Sequence, residues 1–468
     1  MASSWTAALI CLVCSAGVAA APVPPVQDLA IEHVTVLSMT AEGAPLADAT
    51  VVIRGGRIAS ITASGEKPAT KGTKRIDGRG KWLMPGLTDM HMHLENDRLA
   101  RLFLRRPDLP DGTVNTEDVL TPYLVNGVTQ VVNLTGMSES VGQRLDVETG
   151  RILGPHIMNG AMIDGDPSIW PLGMTRSAGT PEAGRQAVRD VVAEGYQLVK
   201  VYSRLNLETF TAIVDEARKR KLRVVGHIPQ RNQGTTDKFF QPGFDLVAHS
   251  EEFAQQTNPP ALDAIPRYVE MAKRNGTWLT ATLSLNERLV EETRSPDSLK
   301  SRPEMRYLLP GIYDTTMNHN PYVAEAGSPG RLEYLQRVVD FNRQLVPAFA
   351  AAGIPVLAGT DAPVPGVVPG FAIHDELEAM ARAGLTNKQV LEGATRLPSE
   401  WLGVIADRGT VEENKRADLL LLDADPLVDV ANTRRISAII LGGRHLTRAA
   451  LDQRLKELDA RYSNSRRY

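Results

Sequence analysis

The sequence predicts an α/β protein: a (β/α)8 TIM barrel with a small β-sandwich domain formed by both chain ends. Three observations lead there. Eight short apolar runs alternate with helical patterns through the middle of the chain. Short runs of alternating apolar and polar residues stand at both ends. Histidine, lysine and aspartate close five of the internal runs at their carboxyl ends, where barrels of this type place their chemistry.

Length and composition set the bounds. A chain of 468 residues is too long for one small module and allows several domains or one large barrel with an appendage. Hydrophobic residues at 43% and charged residues at 23% are ordinary globular values, which excludes disorder, collagen and coiled coil for the bulk. With 52 basic against 55 acidic residues the net charge is −3, so no positive field is available to make nucleic-acid binding the main task. Aromatics at 5% argue against a stacking platform for sugars or single strands.

The elements follow in order. Thr6 to Ala20 is an apolar run of small residues that reads as a secretory signal peptide over residues 1–20, cleaved after Ala20. It is too short to span a bilayer, so no transmembrane anchor and a secreted or periplasmic location are expected. No Lys or Arg precedes Arg54, which departs from the usual basic start of such segments. Both cysteines, Cys11 and Cys14, fall inside this segment, so its removal excludes disulfides, thiol nucleophiles and cysteine metal sites. A Pro-rich linker spans residues 22–28. The stretch 21–84 is expected to form the first part of the sandwich, an antiparallel unit broken at Gly55-Gly56 and Gly78–Gly80.

Residues 85–406 are assigned to the barrel. Its strands are expected at Leu87–Met92, Thr129–Leu134, His156–Met162, Leu198–Tyr202, Val224–Ile228, Leu246–His249, Trp278–Leu283 and Pro355–Gly359. No Gly-x-Gly-x-x-Gly turn follows the first strand, which disfavours a doubly wound open sheet. The long connection from Asn286 to Gly330 is expected to serve as a lid or a partner surface. Residues 407–450 complete the sandwich, and 451–468 form a C-terminal tail, helical at first and then a solvated basic end. An assembly of identical copies is left open.

The polar residues carry the functional reading. His91 and His93 are two apart on one strand and so share a side, which lets both imidazoles meet one ion. Lys200 ends the apolar run QLVKVY, His227 closes VVGH, His249 closes LVAH, and Asp361 follows VLAGT. Nitrogen ligands with a carboxylate suit Zn²⁺ or a similar divalent ion.

These residues also carry a family resemblance. PGLTDMHMH, VKVY, VVGH, LVAH and AGTDA resemble the metal-site strands of the amidohydrolase superfamily, in its secreted prolidase-like and imidazolonepropionase-like branch. The segments ADATVVIRGGRIASI and GTVEENKRADLLLLDADPL are similar to the opening and closing parts of that family's sandwich. The resemblance implies two divalent ions, most simply Zn: His91, His93 and Asp361 on the first, His227 and His249 on the second. It further implies a carboxylated Lys200 bridging both. A free ammonium there would be repelled by divalent cations, whereas a carbamate is an anion of matching reach.

The resulting expectation is a metal-dependent hydrolase. Metal binding brings the pKa of water to about 7, and Asp361 is placed as general acid and base between that water and the leaving amine. The small-molecule substrate is expected to be a dipeptide or an N-acyl amino acid, met by Tyr202 and Arg204. His156, in ILGPHIMNG, stands where relatives commonly have Arg; it is expected at the mouth, in reach of substrate, and not as a ligand. His374 is expected on the helix after the last barrel strand as packing or support for the site. A lactonase or cyclic-amidine hydrolase would use the same ligands, and a periplasmic metal- or solute-binding protein is the non-catalytic alternative.

Overall fold

The computed structural model describes residues 23–63, 72–103, 108, 110–171, 173–231 and 233–465. The expected signal segment, with Cys11 and Cys14, lies outside the described residues. The chain opens with β1 (Leu29–Val36), β2 (Leu46–Arg54), β3 (Arg57–Ala63), β4 (Lys74–Asp77) and β5 (Trp82–Pro85). Strands β2 and β3 form a hairpin across Gly55-Gly56, whose φ angles of +53° and +80° are the left-handed pair that a tight two-residue turn requires.

The barrel strands are β6 (Leu87–Met92), β7 (Val128–Asn133), β8 (His156–Asp164), β10 (Leu198–Val201), β11 (Arg223–Gly226), β12 (Leu246–Val247), β13 (Trp278–Thr280) and β14 (Val356–Leu357). The short β9 (Thr175–Ser177) pairs with the end of β8. All neighbours are parallel, in the order β14-β13-β12-β11-β10-β8-β7-β6. Between them run amphipathic helices. Pro181–Ala193, capped by Thr180 accepting from Ala183 N, buries Gly184, Ala187, Val188 and Val191, one face at helical spacing.

Several strands are shorter than the sequence reading expects, the last two most of all. The run from Trp278 stops at Thr280 because Thr282 takes a left-handed φ of +46° and a helix begins at Leu283. The run toward Asp361 stops at Leu357. Beyond it, main-chain bonds close the barrel: Met90 N donates to Ala358 O at 3.0 Å, Thr360 N and Asp361 N donate to His91 O at 3.1 and 2.7 Å, and His93 N donates to Ala362 O at 2.7 Å.

The last strands, β15 (Leu419–Leu422), β16 (Ile436–Leu441) and β17 (Arg444–Thr447), complete the first sheet by pairing β15 with β5. The order is β17-β16-β15-β5-β1-β2-β3, with β4 beside β1, so both chain ends build one sheet. It is mixed rather than purely antiparallel, because β1 runs parallel to β4 and β5. This sheet lies at the amino-terminal foot of the barrel, where Gly86 N donates to Asp418 O at 2.9 Å.

The chain after Arg448 is helical over the described residues, and the sequence reading lacked only its docking. The helix, Arg448–Ser465, is docked through Leu451, Leu458 and Tyr462, with Arg454 paired to Glu117 at 2.7 Å and Arg461 to Asp118 at 2.6 Å. The 286–330 connection folds into short helices: Pro296, Pro303, Pro310 and Pro321 each start one, where proline's missing N–H costs nothing. It roofs the carboxyl end of the barrel. Among the described residues no helix is long and apolar enough to cross a membrane.

Gly226 ends β11 directly before His227, with φ +156°; a Cβ there would stand 2.1 Å from the Val201 carbonyl oxygen. Gly226→Ala is therefore expected to destabilise the fold by about 1–3 kcal/mol through overpacking, read as a lowered midpoint in urea unfolding.

Candidate active site

At the carboxyl end of the barrel, His91 and Lys200 are delivered by strand ends, and His93, His227, His249 and Asp361 by the first residues beyond them. His91, Lys200, His227 and His249 are all buried. Asp361 Oδ1 lies 2.6 Å from His93 Nε2 and 3.2 Å from His91 Nε2, and Lys200 Nζ lies 3.4 Å from His91 Nε2. The His91 and His249 rings are 4.3 Å apart between centroids, and those of His227 and His249 5.2 Å. His91, His249 and Asp361 offer ligand atoms within 4.8 Å of one another, which gathers His249 with His91 and Asp361 in one continuous cluster.

What orients the four imidazoles is an outer ring of acceptors at Nδ1. His91 Nδ1 faces the Ala248 carbonyl at 3.3 Å. His93 Nδ1 faces Thr135 Oγ1 at 2.8 Å, and His249 Nδ1 faces Thr282 Oγ1 at 3.2 Å. Both threonine hydroxyls donate onward, Thr135 to Asn133 Oδ1 and Thr282 to Ala281 O, so each accepts from its histidine. His227 Nδ1 meets Glu252 Oε1 at 3.2 Å and Ser203 Oγ at 2.9 Å. The Nδ1 side of each ring is thus taken by partners outside the cluster, and the Nε2 atoms of His91 and His93 face the Asp361 carboxylate.

The electrostatics agree. Burial, then the Lys200 charge, holds His91 and His227 far below the ordinary imidazole range, and burial brings His249 to about 3. Burial would raise the Asp361 carboxyl, but the charges of His249 and His93 and the His93 hydrogen bond outweigh it and keep it low. Burial pulls Lys200 down to about 8. The cluster is therefore rich in acceptors that converge at short range, with Lys200 as a donor among them. A shared cation answers that imbalance, and the donor set of imidazole and carboxylate fits a divalent transition ion.

Sequence reasoning missed several supporting residues. Asp89 lies two and four residues before His91 and His93, on the same motif. Its Oδ1 accepts from His91 N and Thr360 N at 3.1 and 3.0 Å, and its Oδ2 from Thr360 Oγ1 at 2.6 Å. Glu252, fully buried, takes His227 Nδ1, Ile228 N and the Arg231 guanidinium. The i, i+2 alternation pointed to Asp89; nothing local pointed to Glu252 or Arg231, which come from loops.

The cluster forms the floor of a cavity of about 570 Å³. One wall holds Leu99, Leu134, Met162, Trp170, Met174 and Tyr202; the other holds Leu285, Leu289, Ile312, Tyr322, Leu335 and Val338 from the roof. Tyr202 lies against His227, with ring centroids 4.0 Å apart. Arg204 and His156 do not line this cavity. Arg204 is exposed and turned toward Pro167, where its guanidinium donates to the carbonyl at 3.1 Å. His156 stands at the foot of β8, the end opposite the cluster, and pairs with Asp418 at 3.0 Å, joining barrel to sheet and holding Asp418 at about 2 against the effect of burial. His374 is buried against Thr433, 2.8 Å away, and also lies outside the cavity.

A parallel barrel with such a cluster at its carboxyl end defines a hydrolase of the metal-dependent barrel class. The chain belongs to the amidohydrolase family, which it matches over residues 82–446. It is similar to a putative prolidase from Bifidobacterium longum, at 25% identity over 93% of this chain and 100% of that one, with a TM-score of 0.67. The bottromycin amidohydrolase is 20% identical over 93% of this chain and 90% of its own, with a TM-score of 0.72. An uncharacterized protein of Mycobacterium tuberculosis is 22% identical over 78% of this chain and 85% of its own length. The protein is a hydrolytic enzyme acting on carbon–nitrogen bonds, in a family that is generally metal-dependent.

Asp89→Ala would strand two buried donors at the barrel seam, His91 N and the Thr360 hydroxyl, while Thr360 N keeps the His91 carbonyl, at about 1–3 kcal/mol for each buried group left unpaired. Urea unfolding should show a loss of several kcal/mol in Asp89→Ala and a much smaller one in Asp89→Asn, which keeps the Oδ1 acceptor.

Proposed function

We propose that this amidohydrolase cleaves the amide bond of a dipeptide or an N-acyl amino acid, using two divalent ions, most simply Zn, held by His91, His93, Lys200, His227, His249 and Asp361. The observation that carries the reading is the convergence of His91 and His93 Nε2 on the buried Asp361 carboxylate, with His249 within 4.8 Å of the same group and Lys200 beside His91. Lys200 is taken to be carboxylated. Its burial lowers its pKa to about 8, which raises the fraction of neutral amine able to react with CO₂. When bound, such ions bring the pKa of water toward 7 and polarise a carbonyl oxygen.

The chain's own residues supply the remainder. Asp361, kept ionised by its neighbours, accepts a proton from the attacking water at its carboxylate and returns it to the departing amine nitrogen. Glu252 and the threonines fix the imidazole rings, so little reorganisation is needed. Tyr202, packed on His227, forms the wall beside the reacting carbonyl, and the roof excludes bulk water. The likeness to a putative prolidase supports a dipeptide-sized substrate. We also place the enzyme outside the cytoplasm, on the apolar segment Thr6 to Ala20.

The test is metal content together with the intact mass of the Lys200 peptide, where two ions and the added mass of one CO₂ are expected. Lys200→Ala should lose activity, and small carboxylates with added metal should restore part of it. Wild-type turnover in Lys200→Arg would end the carbamate reading, because Arg stays protonated and cannot react with CO₂.

Asp361→Asn should retain binding of a substrate analogue while kcat falls by about 10²–10⁴-fold, the usual worth of general acid–base help. Metal content, inhibitor affinity and kcat are to be measured on one preparation. Two bound ions with unchanged kcat would make Asp361 a spectator.

A further inference from the structure

The roof helix Arg331–Ala351 presents Arg331, Tyr334, Leu335 and Val338 to the cavity, residues spaced i, i+3, i+4 and i+7 on one helical face. The side chains nearest the cluster on this side are apolar, and Arg331 stands at the first turn of the same face. A guanidinium in such a setting needs a reason. Among the described residues lining the cavity the guanidiniums are Arg231 and Arg331. Arg231 is committed to fully buried Glu252 and to His227. The ion partner of Arg331 is Glu325, 3.4 Å away and itself 60% exposed, a contact that water screens. Arg331 Nε, moreover, is buried without a hydrogen-bond partner among the described residues. A guanidinium has a planar fork of donors matched to a carboxylate; Arg231 Nε is likewise unpartnered among the described residues, but its charge is met by fully buried Glu252, whereas that of Arg331 is met by exposed Glu325.

We infer that Arg331 anchors a carboxylate of the substrate, and that Leu285, Leu289, Leu335 and Val338 receive the apolar side chain next to that carboxylate. This rests on the amide-hydrolase reading for what lies at the scissile bond, and it narrows the substrate class. The leaving group is an apolar amino acid with a free carboxylate, seated under the roof. The acyl part then faces the second apolar wall, where Met162, Trp170 and Met174 favour a bulky acyl group over a small one. It also moves the anchor from Arg204, which the fold turns away, to the first residue of the helix that follows the long connection.

The test separates binding from turnover. N-benzyl-leucine and the corresponding alcohol, N-benzyl-leucinol, carry an amine in place of the scissile amide and no other amide, so neither can be hydrolysed. Their affinities for the metal-loaded enzyme are measured by calorimetry, on wild type, Arg331→Met and Arg331→Lys. Wild type should prefer the acid by on the order of 10- to 100-fold, the worth of a charge-assisted pair. Arg331→Met should bind both alike, and Arg331→Lys should keep part of the preference. With N-acyl-leucine as substrate, Arg331→Met should raise KM and leave kcat nearly unchanged. Equal affinities in wild type, or a preference that survives in Arg331→Met, would overturn the anchor. Loss of turnover on N-acyl-leucine in wild type, with the binding preference intact, would instead remove the amide-hydrolase reading and leave the anchor standing.

Discussion

The main-chain carbonyl of His91 accepts from the amides of both Thr360 and Asp361, and this seam between the first and last barrel strands fixes the rest of the site. Closure of the barrel and placement of the chemistry are one event. Asp361 sits there in the left-handed region, at φ +62°, a conformation that a non-glycine residue adopts only when its surroundings impose it. The Asp89 carboxylate imposes it by holding His91 N and the Thr360 amide and hydroxyl together. Thr282, also left-handed, stands in the same relation to His249. Of the eight non-glycine residues with positive φ among the described residues, these two present or support the cluster.

Around that seam the structure separates two kinds of polar pairing. At the foot, His156 and Asp418 satisfy each other, and the pair welds barrel to sheet. At the carboxyl end the same residue types crowd around one carboxylate, with His91 and His93 both turned to Asp361 and Lys200 beside His91. Burial makes such a cluster costly for the apo fold and correspondingly receptive to a cation. The chemistry of the two ends differs by orientation and not by composition.

Much of this was legible in the sequence because strands and their carboxyl ends have local signatures. The first strand, Leu87–Met92, was placed to the residue, and His91, Lys200, His227, His249 and Asp361 were read as one cluster because each closes an apolar run. What was not legible depends on long-range geometry. Arg204 looked suited to a carboxylate two residues beyond Tyr202, but the loop after β10 turns it to Pro167. His156 looked like a mouth residue, yet it begins its strand and so faces the foot. Arg231 and Glu252 come from separate loops and meet only in the fold. The docked C-terminal helix was hidden by a polar composition in which three buried residues, Leu451, Leu458 and Tyr462, carry the contact.

The sheet shared by both chain ends has a consequence for the order in which the molecule can form. Strand β5 finds its second neighbour in β15, so its pairing is deferred until more than three hundred further residues of barrel have been made. During synthesis or transport the amino-terminal strands therefore present an open edge, the kind that recruits foreign strands. Contacts of such sequence separation are also slow to close. A chain released before Leu419–Leu422 would hold nearly every residue of its active centre and still lack the strand that covers that edge.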